Sequence, residues 1–255
     1  MDARAILAWF DIADWVLTPE EYAAFGVAVP EGTHVVDGCV VALGREELAW
    51  VRRRKSVWAW RKMKKARRWA CVLGWIPFVH MIAIGNALGY GNCRDDSDID
   101  LVIITEPRRL WLVRLIVTAL LKFFRQRPGE HARDAICPSF FLTTEALELG
   151  SLQIAAIEAS RATPSDPYLL FWMLELTVLY DADTTYDAFW SANAAWVQRW
   201  LPDAPPRAMH PRLAGILRCH CERSEAIPAQ DTHDRDCHVP TPPRLRWAQR
   251  AAPRN

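Results

Sequence analysis

The run Asp96-Ser97-Asp98-Ile99-Asp100-Leu101-Val102-Ile103-Ile104 constrains this chain more than any other segment. It reads as a strand that opens with two carboxylates. Side chains alternate along a strand, so Asp98 and Asp100 share one face while Ile99, Leu101 and Ile103 share the other. Two acids on one face repel each other and are costly to desolvate unless a cation lies between them. Oxygen ligands in this pattern suit Mg²⁺, which takes one or two carboxylates and completes its shell with phosphate oxygens and water. Upstream, the apolar run 78–84 reads as the neighbouring strand and ends on Gly85-Asn86. A glycine at that point allows a phosphate to approach the backbone closely.

Other phosphate loops fit worse. Gly85, Gly89 and Gly91 cluster, but no Gly-Lys-Ser/Thr follows, which argues against a P-loop. Gly89-Tyr90-Gly91 leads to an acidic strand instead of the helix that a dinucleotide fingerprint needs.

The order of a strand, Gly85-Asn86, a short gap and Asp98-Ile99-Asp100 resembles the signature of the DNA polymerase β-like nucleotidyltransferase superfamily. That superfamily has Gly-Ser or Gly-Gly at the first position. Asn86 departs from it, with an amide that can still donate to a phosphate. The resemblance implies an α+β fold, with a short mixed sheet flanked by helices. It implies Mg²⁺ as cofactor, an NTP as substrate and transfer of a nucleotide to an unknown acceptor. Asp98 and Asp100 would be the catalytic metal ligands, and Gly85, Asn86 and Ser97 the nucleotide-binding residues. Arg94 could add positive charge. The superfamily also supplies a third carboxylate from a later strand. The candidate strand 135–142 holds no acid; Ser139 is its nearest polar residue, and Asp134 only precedes it. Three alternatives stay open. Asp134 serves, or the site works with two acids, or catalysis is lost and the fold acts as a nucleotide- or nucleic-acid-binding regulatory module.

Around this core the chain divides by composition. Residues 1–45 read as a winged-helix-like cap: a helix over 3–15, and a second helix opened by Thr18-Pro19-Glu20-Glu21 with a capping box. A hairpin follows, turning on Asp37-Gly38. Only eight residues lie between Phe25 and His34, among them Gly26, Pro30 and Gly32, so a normal recognition helix does not fit. Residues 46–77 read as a basic connector helix, because positions 51–70 hold ten Lys and Arg and no acid. Trp58, Trp60 and Trp69 are interleaved with those cations. The favoured reading is a solvated face with Trp packed on the next domain. Nucleic acid held along the segment from Arg52 to Arg68 is the alternative.

Residues 78–145 carry the core pattern, with a helix over 108–125. Residues 146–203 read as helical, with aromatic anchors that include Tyr168, Trp172 and Tyr180; Leu179-Tyr180-Asp181 reads as a helix exit. This order of parts is similar to a group of uncharacterised prokaryotic nucleotidyltransferase-domain proteins. Ala8-Trp9-Phe10-Asp11-Ile12-Ala13-Asp14, the block 85–105 and Trp196-Val197-Gln198-Arg199-Trp200-Leu201-Pro202 are among the stretches that carry the likeness.

Residues 204–255 turn rich in Pro, Arg and Ala and read as a disordered tail. Cys219-His220-Cys221 and Cys237-His238 lack the spacing of a zinc site. The string 219–227 resembles a translated interspersed genomic repeat. Seven cysteines without a secretory leader point to a reducing, cytoplasmic setting. No segment reaches the apolar length of a membrane span, so no membrane partner is expected. The nearest, 110–124, contains Arg114 and Lys122 and reads as a core helix.

Overall fold

A four-stranded mixed sheet with helices on both faces organises this α+β molecule. The computed structural model describes residues 1–130, 133–152 and 167–202. The chain begins with α1 (Ala3–Ile12) and α2 (Pro19–Ala24), then the hairpin of β1 (Thr33–Val36) and β2 (Cys39–Ala42). Asp2 caps α1. Thr18 and Glu21 form the reciprocal capping box expected for α2, which satisfies backbone N–H groups at its first turn. The hairpin turns on Asp37 and Gly38, both with positive φ, which matches the right-handed twist of its strands. No helix lies between α2 and β1, as the glycines and proline of that stretch dictate.

The single helix α3 (Glu47–Leu73) then runs to β3 (Val79–Ile84). After it come α4 (Asn86–Tyr90), β4 (Ile99–Thr105), α5 (Leu110–Phe123) and β5 (Ile136–Thr143). The sheet order is β5, β4, β3, then a strand β6 (Thr177–Asp181), which lies between α6 (Pro167–Leu174) and α7 (Thr185–Trp200). Strand β3 is antiparallel to both β4 and β6, and β4 is parallel to β5.

Strand alternation sorts the core into two layers. Ile99, Leu101 and Ile103 of β4 and Ile82 and Ile84 of β3 pack beneath α3 and α5, through Ala66, Ala70, Leu73, Val113, Val117 and Leu121. Val102, Ile104, Met81 and Ala83 face the other way, into a cluster with Phe10, Phe171, Tyr186 and Phe189 from α1, α6 and α7. The N-terminal helices thus share a core with the C-terminal ones. The buried Arg52 of α3 ties them down further, donating to the Val16 carbonyl and pairing with Glu21 at 2.7 Å.

Two expectations are corrected. The first helix ends at Ile12, short of residue 15. Residues 146–203 are not helical throughout. Thr143 still belongs to β5, Gly150–Leu152 form a 3₁₀ turn, and Thr177–Asp181 form β6. The run Leu176-Thr177-Val178-Leu179-Tyr180 is apolar on both sides, so periodicity alone does not separate strand from helix. What decides is the open edge of β3, whose backbone groups β6 satisfies. Asp181 then accepts hydrogen bonds from the Thr185 and Tyr186 amides and caps α7. As expected of a core helix, α5 buries Val113, Val117 and Leu121, while Trp111 and Phe123 on its outer side are 75 % and 81 % exposed. Residues 204–255, including the proposed repeat and the cysteine-histidine pairs, lie outside the described residues. Among the described residues no helix is long and apolar enough to cross a membrane.

Candidate active site

The structure brings Asp98 and Asp100 together at the start of β4, on the sheet face opposite α3 and α5. Both are half-buried. Burial and the neighbouring charge of Asp100 hold the Asp98 carboxyl above its ordinary range, with Lys62 pulling the other way. The two acids therefore form a like-charge pair that the local cations do not fully neutralise.

Gly85 and Asn86 close over this pair from the end of β3. The Gly85 amide donates to the Asp100 carbonyl at 3.1 Å. Gly85 has ordinary extended backbone, so its freedom of φ is not the reason for glycine there. Space is: a Cβ would lie 3.0 Å from the Trp172 indole nitrogen and 3.1 Å from a Val102 methyl. Asn86 sits at φ 57°, the left-handed region that Asn tolerates better than most residues. That conformation accounts for Asn where the resemblance leads one to expect Gly or Ser. Its amide nitrogen donates to Asp100 Oδ2 at 2.7 Å, and its amide oxygen accepts from the Tyr168 hydroxyl at 2.7 Å. Asn86 thus orients Asp100. Trp172, set edge-on to Phe140 at 5.3 Å between centroids, completes the wall on this side.

The two remaining candidates have local roles. The Ser97 hydroxyl donates to the Arg94 carbonyl at 3.0 Å, and its own carbonyl accepts from the Lys62 ammonium, so Ser97 shapes the loop that delivers Asp98. Arg94 pairs with Asp96 at 2.9 Å on the exposed side of that loop.

The place across from Asp100 on β5 belongs to Cys137. Burial and the charges of Asp100 and Asp98 push its thiol up. Ser139 sits in a bulge of β5, exposed, and donates to the Leu101 carbonyl at 3.4 Å. Asp134 is buried beneath α3, bonded to Arg61 through two contacts of 2.7 Å and to Lys62 at 2.7 Å. Those hydrogen bonds and charges hold its carboxyl down at about 2, against the burial that would raise it. Asp134 is a counter-ion for the buried Lys62 and not a free third acid.

No family model, curated protein or solved structure matches this chain.

Among the described residues no group of three His, Cys, Asp or Glu side chains converges as a metal centre. A cation here would have two protein carboxylates and would draw its other ligands from substrate and water. The sequence reading singled out Asp98, Asp100, Gly85 and Asn86, which the structure brings together. It placed Tyr168 and Trp172 only as packing aromatics and did not single out Cys137. All three arrive from distant segments through strand pairing and helix packing, which leave no local periodic signal.

Proposed function

We propose that this chain is a Mg²⁺-dependent nucleotidyltransferase that moves a nucleotide from an NTP to an acceptor hydroxyl. The reading rests on one observation above the others: a half-buried pair of carboxylates, Asp98 and Asp100, at the start of β4, with Asp100 clamped by the Gly85-Asn86 turn. The donor set fits the ion. Both donors are hard carboxylate oxygens, one or two of which are usual for Mg²⁺ bound together with substrate phosphates. A bound Mg²⁺ would offset triphosphate charge and stabilise the attacking and leaving oxygens during in-line displacement of pyrophosphate.

The chain's own groups do the rest. Asp98 and Asp100 hold the ion, and the Asn86 amide fixes the rotamer of Asp100. A side chain in place of Gly85 would crowd Trp172 and Val102 beside the pair. The indole of Trp172 lies against Gly85 and the Tyr168 hydroxyl against Asn86, and their rings would offer faces for a base.

A second reading has its own support. The position facing Asp100 on β5 is a thiol, and Asp134 is tied to Arg61 and Lys62. A site without a third acid to activate the acceptor would bind nucleotide without turning it over, as a regulatory module. Pyrophosphate release from each NTP, with and without Mg²⁺, separates the two in the full chain. Release that disappears in Asp98→Asn plus Asp100→Asn supports the transferase. Mg²⁺-dependent NTP binding without release supports the binding module. Neither binding nor release would remove both readings.

A further inference from the structure

The α3 side of the sheet carries a cleft that the proposed reaction does not use. It lies along α3, has a volume of about 380 Å³, and is lined by Trp60, Arg61, Lys64, Lys65, Arg68, Trp69 and Asp134. Its one acid is already matched, since Asp134 bonds Arg61 and Lys62. Lys65 donates to the Arg133 carbonyl at 2.8 Å. Lys64 and Arg68 are exposed, and among the described residues neither meets a carboxylate. The cleft therefore carries positive charge on Lys64 and Arg68 that no acid among the described residues balances.

Aromatic rings are interleaved with these cations. The Lys64 ammonium lies 3.7 Å from the centroid of Trp60, which is 45 % exposed. Trp69 meets Phe124 edge-on at 5.9 Å, and Phe124 meets Phe123 at 5.1 Å. Phe123 and Phe124 are both exposed at the end of α5, beside the exposed Lys122 and Arg125. Rings and cations thus alternate from the middle of α3 to the end of α5.

We infer that this cleft binds single-stranded nucleic acid, with phosphates on Lys64 and Arg68 and unpaired bases stacked on Trp60 and on the Trp69–Phe124 rings. Alternating aromatic faces and cations are what a strand with unpaired bases needs, because every base offers a π-face and every link a charge. A duplex hides those faces. A bilayer surface would take the exposed Phe123 and Phe124 but would leave the concavity lined by Trp60, Lys64 and Arg68 unfilled. The inference does not depend on the transferase reading, since the acid pair opens on the other face of the sheet.

The test uses the full chain and a fluorescein-labelled oligouridylate, followed by anisotropy without NTP or Mg²⁺. The strand binds, and raising salt weakens it. Trp60→Ala weakens binding by about tenfold or more, the loss expected of one stacked base. Lys64→Gln with Arg68→Gln flattens the logarithmic salt slope by about 1.4, or roughly 0.7 for each lost phosphate contact. Trp50→Ala removes a ring elsewhere on α3 that is more exposed than Trp60, 57 % against 45 %, and leaves affinity unchanged. Circular dichroism and melting curves confirm that each variant is folded. The inference is overturned if the strand fails to bind, or if Trp60→Ala binds like the parent. It is also overturned if duplex or inorganic polyphosphate binds as tightly as the strand, or if phosphatidylserine vesicles displace it. The last result would assign the patch to a membrane surface.

Discussion

Cys137 stands directly across from Asp100 in the parallel pairing of β4 with β5. Burial, Asp100 and Asp98 together keep its thiol protonated beyond the ordinary cysteine range. The thiolate is the reactive form, so Cys137 should alkylate slowly at neutral pH. Removing the two charges lowers its pKa, and Asp98→Asn plus Asp100→Asn should speed alkylation severalfold. Mg²⁺ should have the same effect on the parent chain and none on the double variant. Iodoacetamide labelling resolved by peptide mass spectrometry reads this against Cys71, which is exposed and remote. Equal rates in parent and double variant would show that the thiol does not sense the acids.

The ion-paired cluster beneath α3 predicts a stability effect. Lys62 is fully buried and Asp134 nearly so, and the two are 2.7 Å apart. Asp134→Asn leaves a buried ammonium without its counter-charge and should destabilise by about 3–5 kcal/mol in urea titrations. Asp134→Leu with Lys62→Met should lose less than either single change. The pH dependence follows from the direction of the shift. The folded carboxyl titrates at about 2, below the roughly 3.9 of an unfolded aspartate. Its stabilisation is complete above the unfolded value and is lost as pH falls through the folded one.

Asp98 has the opposite sign. Its folded pKa is raised, so the folded state disfavours its charge. The associated stability is present below the unfolded pKa and is lost as pH rises through the folded pKa. Asp98→Asn should therefore raise the melting temperature modestly at neutral pH in chelator, with the gain fading in acid. Mg²⁺ should raise the melting temperature of the parent and leave Asp98→Asn plus Asp100→Asn unmoved. A parent chain indifferent to Mg²⁺ at millimolar concentration would contradict the metal assignment.

Two glycines separate packing from conformation. A Cβ at Gly89 would lie 2.1 Å from the Glu175 carbonyl oxygen, a backbone atom that has little room to retreat. Gly89→Ala should destabilise at or above the upper end of the ~1–3 kcal/mol usual for overpacking. Gly32 has φ +78° and nothing within 4 Å of a built Cβ. Gly32→Ala should meet only the backbone strain of about 1–2 kcal/mol. Thermal or urea unfolding of the two variants gives the comparison directly, and equal losses would show that the α4–Glu175 approach is looser than described.

Much of the fold was legible because its signals are local. The alternation after Asp98, the Thr18–Glu21 capping box, the Asp37-Gly38 turn and the charge run of α3 all depend on neighbours within a few residues. The sheet's fourth strand was not legible. Leu176 and Val178 are both buried, so the run that contains them reads equally as the end of a helix until the open edge of β3 claims it. The outer face of α5 was not legible either, because an apolar composition does not say which of its sides another element will cover.

Local alternation along the chain, by itself, was enough to place Asp98 and Asp100 on one face of a strand and Gly85-Asn86 at the end of another, because side-chain direction in a strand depends only on position. What surrounds the acids was decided by tertiary structure. The register of β4 on β5 put Cys137 rather than an acid opposite Asp100. The packing of α3 drew Asp134 away to Lys62, and α6 brought Tyr168 to Asn86. These pairings join segments far apart in the chain. They are settled by which apolar faces and unpaired backbone groups can be satisfied together, and no single stretch of sequence encodes that choice.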